Sequence, residues 1–398
     1  MNGVVLPAWL DTLLAIVEHA QLGMLGLWHW LGLTGDVHGQ PAWPWSHRIA
    51  GETLLIDLGV ARQLAWTGIA VALSLVAMLL ALAWRRRRAV LLAMAAAGLL
   101  LAPWPAPALL FVPAAPTSFH ASPTGFSVEA ISLGARIYGQ HCAACHGDDG
   151  RGEGPLAATL PRWPPTLVSP LLARRADGEL FWHIADGMRD GNGGLAMPAF
   201  AGVLADEEIW AVLDYAKALA AGEGAKSAGS WPMALPVPDM AIRCGADTPR
   251  RLAQWRDGQR LRLVAFDGSP DRIPLEDPRF LTLLVTPDGR PPASVPQFRS
   301  DCGAVSPQAW DTVARLAGVA PERLAGAELL ADRGGWLRAR GTPQQKGWSD
   351  ADLLCESGQA SRPAASATAE KPAPDGLTAL LLRMDAEPVR FVKGGIVH

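Results

Sequence analysis

Charge is scarce in this chain. Only 18% of its 398 residues are Asp, Glu, Lys or Arg, against 49% hydrophobic, a balance skewed toward membrane composition. The formal net charge is -3, which argues against nucleic acid as a partner. Cysteine is scarcer still, at five residues, so any local cysteine pattern carries weight. The N-terminus lacks a basic n-region and a small-residue cleavage site, which argues against a removed signal. No acid/base pair, nucleophile or substrate pocket is legible, so the chain does not read as an enzyme by itself. Its length predicts two or three folded units.

Two of the five cysteines stand in CAACH, from Cys142 to His146. A CxxC alone suits a redox or zinc pair. The trailing histidine instead matches covalent attachment of one haem c: each thiol adds to a vinyl group, and the adjacent imidazole becomes an axial ligand. Met197, in GGLAMPAF, is the candidate for the other axial position, since Met/His ligation suits electron transfer. Its flanking Gly193, Gly194 and Pro198 predict a loop. Met188, expected at the end of a helix, is the rival.

Residues 126 to 221 resemble a class I cytochrome c domain. Gly134 and Tyr138 fit the N-terminal helix of that family, and Trp210 and Tyr215 fit its C-terminal helix. The resemblance implies a small all-α fold around haem. It also implies a proline carbonyl that accepts the proximal histidine's second N–H; Pro155 is the best match, with Pro164 and Pro165 nearby.

The apolar excess lies in the first third. Ala65–Trp84 and Ala89–Pro113 contain no charged residue, and about 20 residues suffice to cross a hydrocarbon core. Between them lies Arg85–Arg88, which the positive-inside rule places on the cytoplasmic side. A first span is expected from Pro7 to Thr34. Its Asp11, Glu18 and His29 fall within about 20° on a helical wheel, a polar face for packing or for an ion pathway. With these orientations the chain beyond Pro113 lies outside the bacterial cytoplasmic membrane, where haem c is attached. Met24, His38 and His47 offer soft and imidazole ligands for copper.

Arg48–Gly68 and Pro116–Ser127 are similar to the membrane part of copper-resistance D family proteins fused to a cytochrome c. About three spans, where full members have many, imply anchoring rather than transport. Such fusions can carry a thioredoxin-like region after the cytochrome. Here Leu261–Phe266 and Phe280–Thr286 read as strands, Ser306 as the N-cap of a helix through Leu316, and Arg333–Gly335 as a hairpin turn. That order resembles a thioredoxin-like core, but DGSPDRIP, Asp267 to Pro274, stands where its CxxC would be. Of Cys244, Cys302 and Cys355, two should form a disulfide, with three pairings open and Cys302 the best placed to be reactive.

The expected fold is multi-domain: transmembrane α-helices over 1–115, an all-α cytochrome c domain over 126–222, a linker at 223–232, an α/β thioredoxin-like domain over 233–356, and a flexible tail over 357–398 ending in a strand-like segment. The expected work is one-electron transfer on the periplasmic face, within a hetero-oligomeric respiratory or dehydrogenase complex. Its partners would be membrane lipid and a dehydrogenase, an oxidase or a soluble cytochrome. Copper handling and structural docking are the alternatives.

Overall fold

The computed structural model describes residues 8–169, 175–269, 275–292, 302–343, 347–349, 352–353, 375–392 and 395–397. The chain divides into two compact units, Met1–His120 with Val392–Val397, and Ala121–Phe391 with His398.

In the first unit, helix α1 (Ala8–Trp30) buries Leu10, Leu14, Val17, Gln21 and Leu25, a stripe at helical spacing. Gln21 is the polar member because it pins strand β1 (His47–Ile49): its Oε1 accepts the Ile49 N–H at 2.8 Å. β1 pairs antiparallel with β2 (Phe111–Pro113). Helix α2 (Leu58–Ala83) starts at Asp57, whose Oδ1 accepts from the Gly59 and Val60 N–H groups. After Arg85–Arg87, helix α3 (Arg88–Leu101) returns along α2. Ser74 Oγ donates to the Ala95 carbonyl at 3.1 Å and Thr67 Oγ1 to the Pro103 carbonyl at 3.0 Å. Leu79, Leu82, Leu100 and Leu101 face outward.

Two helices are long and apolar enough to cross a membrane by length and composition, over Trp9–Trp30 and Leu58–Ala83. The expected third span falls short of that: α3 has 14 residues, about 21 Å at 1.5 Å per residue. Pro103, Pro105 and Pro107 follow it, and proline supplies no N–H for a continuing helix.

The second unit holds the cytochrome-like segment and the C-terminal sheet together. Helix α4 (Val128–His141) is capped by Ser127, whose Oγ accepts the Ala130 N–H. Helix α5 is Asp177–Ala185. A ribbon of β3 (Met188–Arg189) and β4 (Leu195–Met197) leads to helix α6 (Asp206–Ser227), whose Glu208 accepts the Ala205 N–H at 2.9 Å. α4 crosses α6 at Gly134, where a Cβ would stand 1.9 Å from the Ala211 carbonyl oxygen. The expected crossing of an N-terminal and a C-terminal helix is therefore present, and it needs glycine.

α6 also occupies part of the expected linker, since it continues through Ser227. The small residues there serve close approach rather than flexibility. A Cβ on Gly222 would lie 2.3 Å from the Arg315 carbonyl oxygen of helix α7 (Gln308–Ala317). Arg340 fastens the same contact by donating to the Ala225 and Ala317 carbonyls.

Among the described residues the sheet has eight strands. In chain order they are β5 (Leu235–Pro236), β6 (Ala241–Cys244), β7 (Arg250–Arg251), β8 (Leu261–Ala265), β9 (Leu281–Val285), β10 (Cys302–Ala304), β11 (Glu328–Ala331) and β12 (Trp336–Gly341). The spatial order is β5-β12-β11-β8-β9-β10-β6-β7. β8 runs parallel to β9 from Leu261↔Leu281 to Ala265↔Val285, and β11 is antiparallel to both β8 and β12. β8 is buried throughout, including Arg262, whose Nε donates to Glu328 Oε2 at 2.5 Å. The expected hairpin at Arg333–Gly335 joins β11 to β12.

Three further expectations are corrected. Ser306 does not cap α7; its hydroxyl is turned to Glu129 Oε1 at 3.1 Å and to Gln308. Cys302 is not a free thiol, because it faces Cys244 across β10 and β6 and the two are joined as a disulfide. The expected tail contains helix α8 (Gly376–Ala386), which packs Leu380, Leu381 and Met384 against Phe280, Leu330, Ala339 and Leu353. Beyond it, Arg390–Val392 and Gly395–Val397 are strands, as the terminal segment suggested. Cys355, the Ala/Ser/Pro-rich stretch from Gln359 to Pro374, and Pro270–Pro274 lie outside the described residues.

Candidate haem-attachment site

The CAACH segment grows out of the end of α4. Cys142 N donates to the Tyr138 carbonyl, and Cys145 N and His146 N donate back to the Cys142 carbonyl at 3.1 and 2.9 Å. One helical turn, Ala143–His146, thus carries both thiols and the imidazole before Gly147, at φ +78°, ends it. Both thiols are free and half-buried. Burial, then the neighbouring Cys145, pushes the Cys142 thiol up to about 11, so it is a protonated thiol at neutral pH.

The turn's carbonyls are closed by the loop that follows. Gly152 N donates to His146 O at 2.8 Å, Gly154 N to Cys145 O at 3.1 Å and Leu156 N to Ala144 O at 2.8 Å. Gly152, at φ +84°, lets the chain fold tightly, since a Cβ there would lie 2.3 Å from the Pro164 carbonyl oxygen. This fold-back lays the Pro164–Pro165 backbone against Gly152, while Pro155 sits exposed in the turn. Burial holds the imidazole below its ordinary pKa, with the Pro165 carbonyl opposing. Nδ1 is buried and lacks a well-formed hydrogen bond.

Tyr138 and Tyr215 have roles the sequence did not specify. The Tyr138 hydroxyl donates to the Gly147 carbonyl at 2.7 Å, holding the residue next to His146. Its ring lies 5.1 Å from that of Tyr215, over which Arg315 of α7 is placed at 4.8 Å. Burial raises the pKa of both phenols, keeping the Tyr138 donor protonated.

Met197 lies on a strand, not in an open loop, and its register partner is Met188. Gly187 makes this possible: it has φ +76°, and a Cβ there would lie 2.6 Å from the Met197 carbonyl oxygen. Beyond the ribbon, Phe200 N and Ala201 N donate to the Ile184 and Ala185 carbonyls at the end of α5. Phe200, Ile184 and Cys142 pack against one buried cluster that includes Ile137, Phe181 and Trp210. The ribbon and the CAACH turn are therefore tied to a common apolar wall.

These residues fit haem c. Two free thiols and an imidazole share one turn, the imidazole carries a buried Nδ1 without a hydrogen-bond partner, and the loop that holds Met197 is anchored to the same cluster through Phe200. Among the described residues no group of three or more His, Cys, Asp or Glu is placed to hold a metal ion. Of the residues considered for copper, His47 has Nδ1 2.9 Å from Ser46 Oγ; His29, from the polar face of the first span, has Nε2 3.0 Å from Asp36.

One buried carboxylate nearby was not anticipated. Asp214 of α6 is 2% exposed and accepts from Thr124. Burial raises its pKa from 3.8 to about 6, opposed by Lys217 and by the Thr124 hydrogen bond. A folded-state pKa above the unfolded one means the folded state holds the proton more tightly. The stability this confers is complete below about pH 4 and is lost as pH rises through about 6, by about 3 kcal/mol in all. Asp214→Asn should therefore melt above the wild type at pH 7.5, with the gap closing toward pH 4. Thermal melts of the two chains at both pH values check this, and parallel curves would refute it.

A family model described as cytochrome c oxidase, cbb3-type, subunit III, matches residues 129–215. Among solved structures the chain is similar to a chain of a Kuenenia stuttgartiensis reducing HAO-like protein complex, with 23% identity and a TM-score of 0.21. That match covers 32% of this chain and 59% of the other. No curated protein matches the chain. The segment 129–215 is thus a cytochrome c domain, which suggests electron transfer and implies haem c.

Proposed function

We propose that this chain is a membrane-anchored, single-haem cytochrome c that carries one electron at a time on the periplasmic face of a bacterial cytoplasmic membrane. The observation that carries the reading is the CAACH turn inside the segment matched by the cytochrome model. Cys142 and Cys145 would hold one haem through thioether bonds, with His146 and Met197 as its protein ligands. Haem held in this way would supply one-electron redox chemistry. The chain's own work is to fix those ligands. The Tyr138–Gly147 hydrogen bond locks the turn, and the apolar wall of Ile137, Phe181 and Trp210 excludes water.

Anchoring is supported by α1 and α2 and by the outward leucines of the α2–α3 hairpin. Arg85–Arg88 would mark its cytoplasmic end. Although α3 is short, the extended residues 102–106 can complete the crossing, because two of the five are prolines with no N–H to satisfy and Pro103's carbonyl accepts from Thr67. Residues 1–115 then form the anchor, 126–222 the cytochrome and 233–356 a thioredoxin-like domain. For the last, the support is the strand order β9-β8-β11-β12, with β8 parallel to β9 and α7 preceding the hairpin. No cysteine occurs between Cys244 and Cys302, so its role is docking within a respiratory or dehydrogenase complex.

Purified in mild detergent, the chain should keep haem through a denaturing gel and give a sharp low-spin spectrum on reduction. Haem that leaves on denaturation, or none at all, would sink the proposal.

A further inference from the structure

We infer that the sixth coordination position is served by two thioethers, with Met188 able to take the iron in place of Met197. This rests on the haem reading above. It goes beyond it in assigning Met188 to the site together with Met197.

Met188 and Met197 are Cα register partners in the antiparallel pair of β3 and β4, whose register shifts by a bulge before Arg189↔Leu195. Cross-strand partners project their side chains to the same face, with Cβ atoms about 4.5–5.5 Å apart. Both methionines are half-buried, whereas the next pair, Arg189 and Leu195, is exposed. A ligand that Met197 can reach is therefore on the side to which Met188 also points. Thioether sulfur is the same donor from either residue, and methionine's unbranched chain adapts to small differences in reach.

The ribbon is built to hold this pairing. At its base, Gly187 allows the backbone to lie against Met197 and Ala199, with a would-be Cβ 2.6 Å from the Met197 oxygen and 2.8 Å from the Ala199 nitrogen. At its tip, Asp190 Oδ1 accepts from Asn192 N at 2.9 Å and Gly194 N at 2.7 Å, and Arg189 Nη1 donates to the Gly193 carbonyl at 3.1 Å. Phe200, just past the ribbon, packs against the same buried cluster as Cys142 and lies edge-on to His141 at 6.1 Å. The segment that carries both methionines is thus tied to the cluster that flanks the haem-attachment turn. Loss of one thioether leaves the other on the same face, and the position stays closed to small exogenous ligands.

The test uses the full-length, detergent-purified haem protein and its variants Met188→Leu, Met197→Leu and the double substitution. Leucine preserves volume, so the ribbon should persist. Haem staining of a denaturing gel reports attachment, the oxidised spectrum reports spin state, and carbon monoxide probes the open position. Both single variants should remain low-spin and silent to carbon monoxide, and only the double variant should become high-spin and bind it. The inference is overturned if Met197→Leu alone binds carbon monoxide as fully as the double variant, if Met188→Leu alone does so, or if the double variant stays closed. A wild-type chain without covalent haem would overturn the cytochrome reading, and this inference with it, and is distinguished by the gel alone.

Discussion

Gly134→Val should abolish the folded cytochrome c domain and leave the chain without covalent haem. A Cβ at Gly134 would stand 1.9 Å from the oxygen and 2.5 Å from the carbon of the Ala211 carbonyl, and 2.8 Å from Tyr215 Cβ. The first two are backbone atoms in the middle of α6, so no rotamer change relieves them. The helices must separate instead. Separation opens the Tyr138–Tyr215 contact at 5.1 Å, loosens the hydroxyl that holds Gly147, and disturbs the Phe181–Trp210 stack at 4.7 Å. Overpacking in an adaptable core costs about 1–3 kcal/mol; a clash between two helix backbones should exceed that and consume most of a domain's stability of about 5–15 kcal/mol. Gly139, on the same helix, is the control. A Cβ there meets nothing within 4 Å, and Gly139→Ala should be neutral or stabilising by up to about 1 kcal/mol. Haem-stained gels and far-ultraviolet dichroism of both variants read the difference. If Gly134→Val retains haem and melts with the wild type, the crossing is not as described.

The same glycine shows what the sequence made legible. Gly134, Tyr138, the CAACH turn, Trp210 and Tyr215 could be read because each depends on spacing along a helix or turn, and the structure brings them to one crossing. The strands at 261–265 and 281–285 and the Arg333–Gly335 hairpin were legible for the same reason. What failed depended on contacts between distant segments. The packing of Pro164 and Pro165 against the turn arises because Gly152 folds the loop back on them. Glu223–Ser227 reads as a linker by composition, yet it is helix because Gly222 and Gly318 admit the backbone of α7. α8 was hidden behind an Ala/Ser/Pro-rich stretch; Asp375 caps it by accepting from Thr378 N, and its fit against Phe280, Leu330 and Ala339 holds it in place. The choice of Cys244 for Cys302 follows from strand register, which no cysteine count contains.

Arg338→Ala should destabilise the sheet domain by about 3–5 kcal/mol, the range for leaving a buried charge without its partner. Arg338 is 1% exposed and sits in β12. Its Nη1 donates to Asp332 Oδ2 at 3.0 Å and to the Met384 carbonyl at 3.2 Å, and its Nη2 donates to the Glu387 carbonyl at 2.6 Å. The guanidinium therefore does two jobs. It neutralises a carboxylate at 8% exposure, and it satisfies carbonyls at the C-terminal end of α8, where a cation also complements the helix dipole. Alanine removes both at once. Asp332 cannot swing into solvent cheaply, because its Oδ1 accepts the Trp336 N–H that closes the hairpin. Lysine should recover only part of the loss, since a single ammonium cannot span the carboxylate and both carbonyls in the planar fork geometry. Asp332→Asn added to Arg338→Ala should return some stability by removing the orphaned charge while keeping an acceptor for Trp336. Hydrogen exchange localises the effect: amides of Gly376–Ala386 should lose protection in Arg338→Ala, ahead of those in α4 and α6. Equal loss of protection in all three helices would mean that Arg338 supports the whole unit rather than the docking of α8.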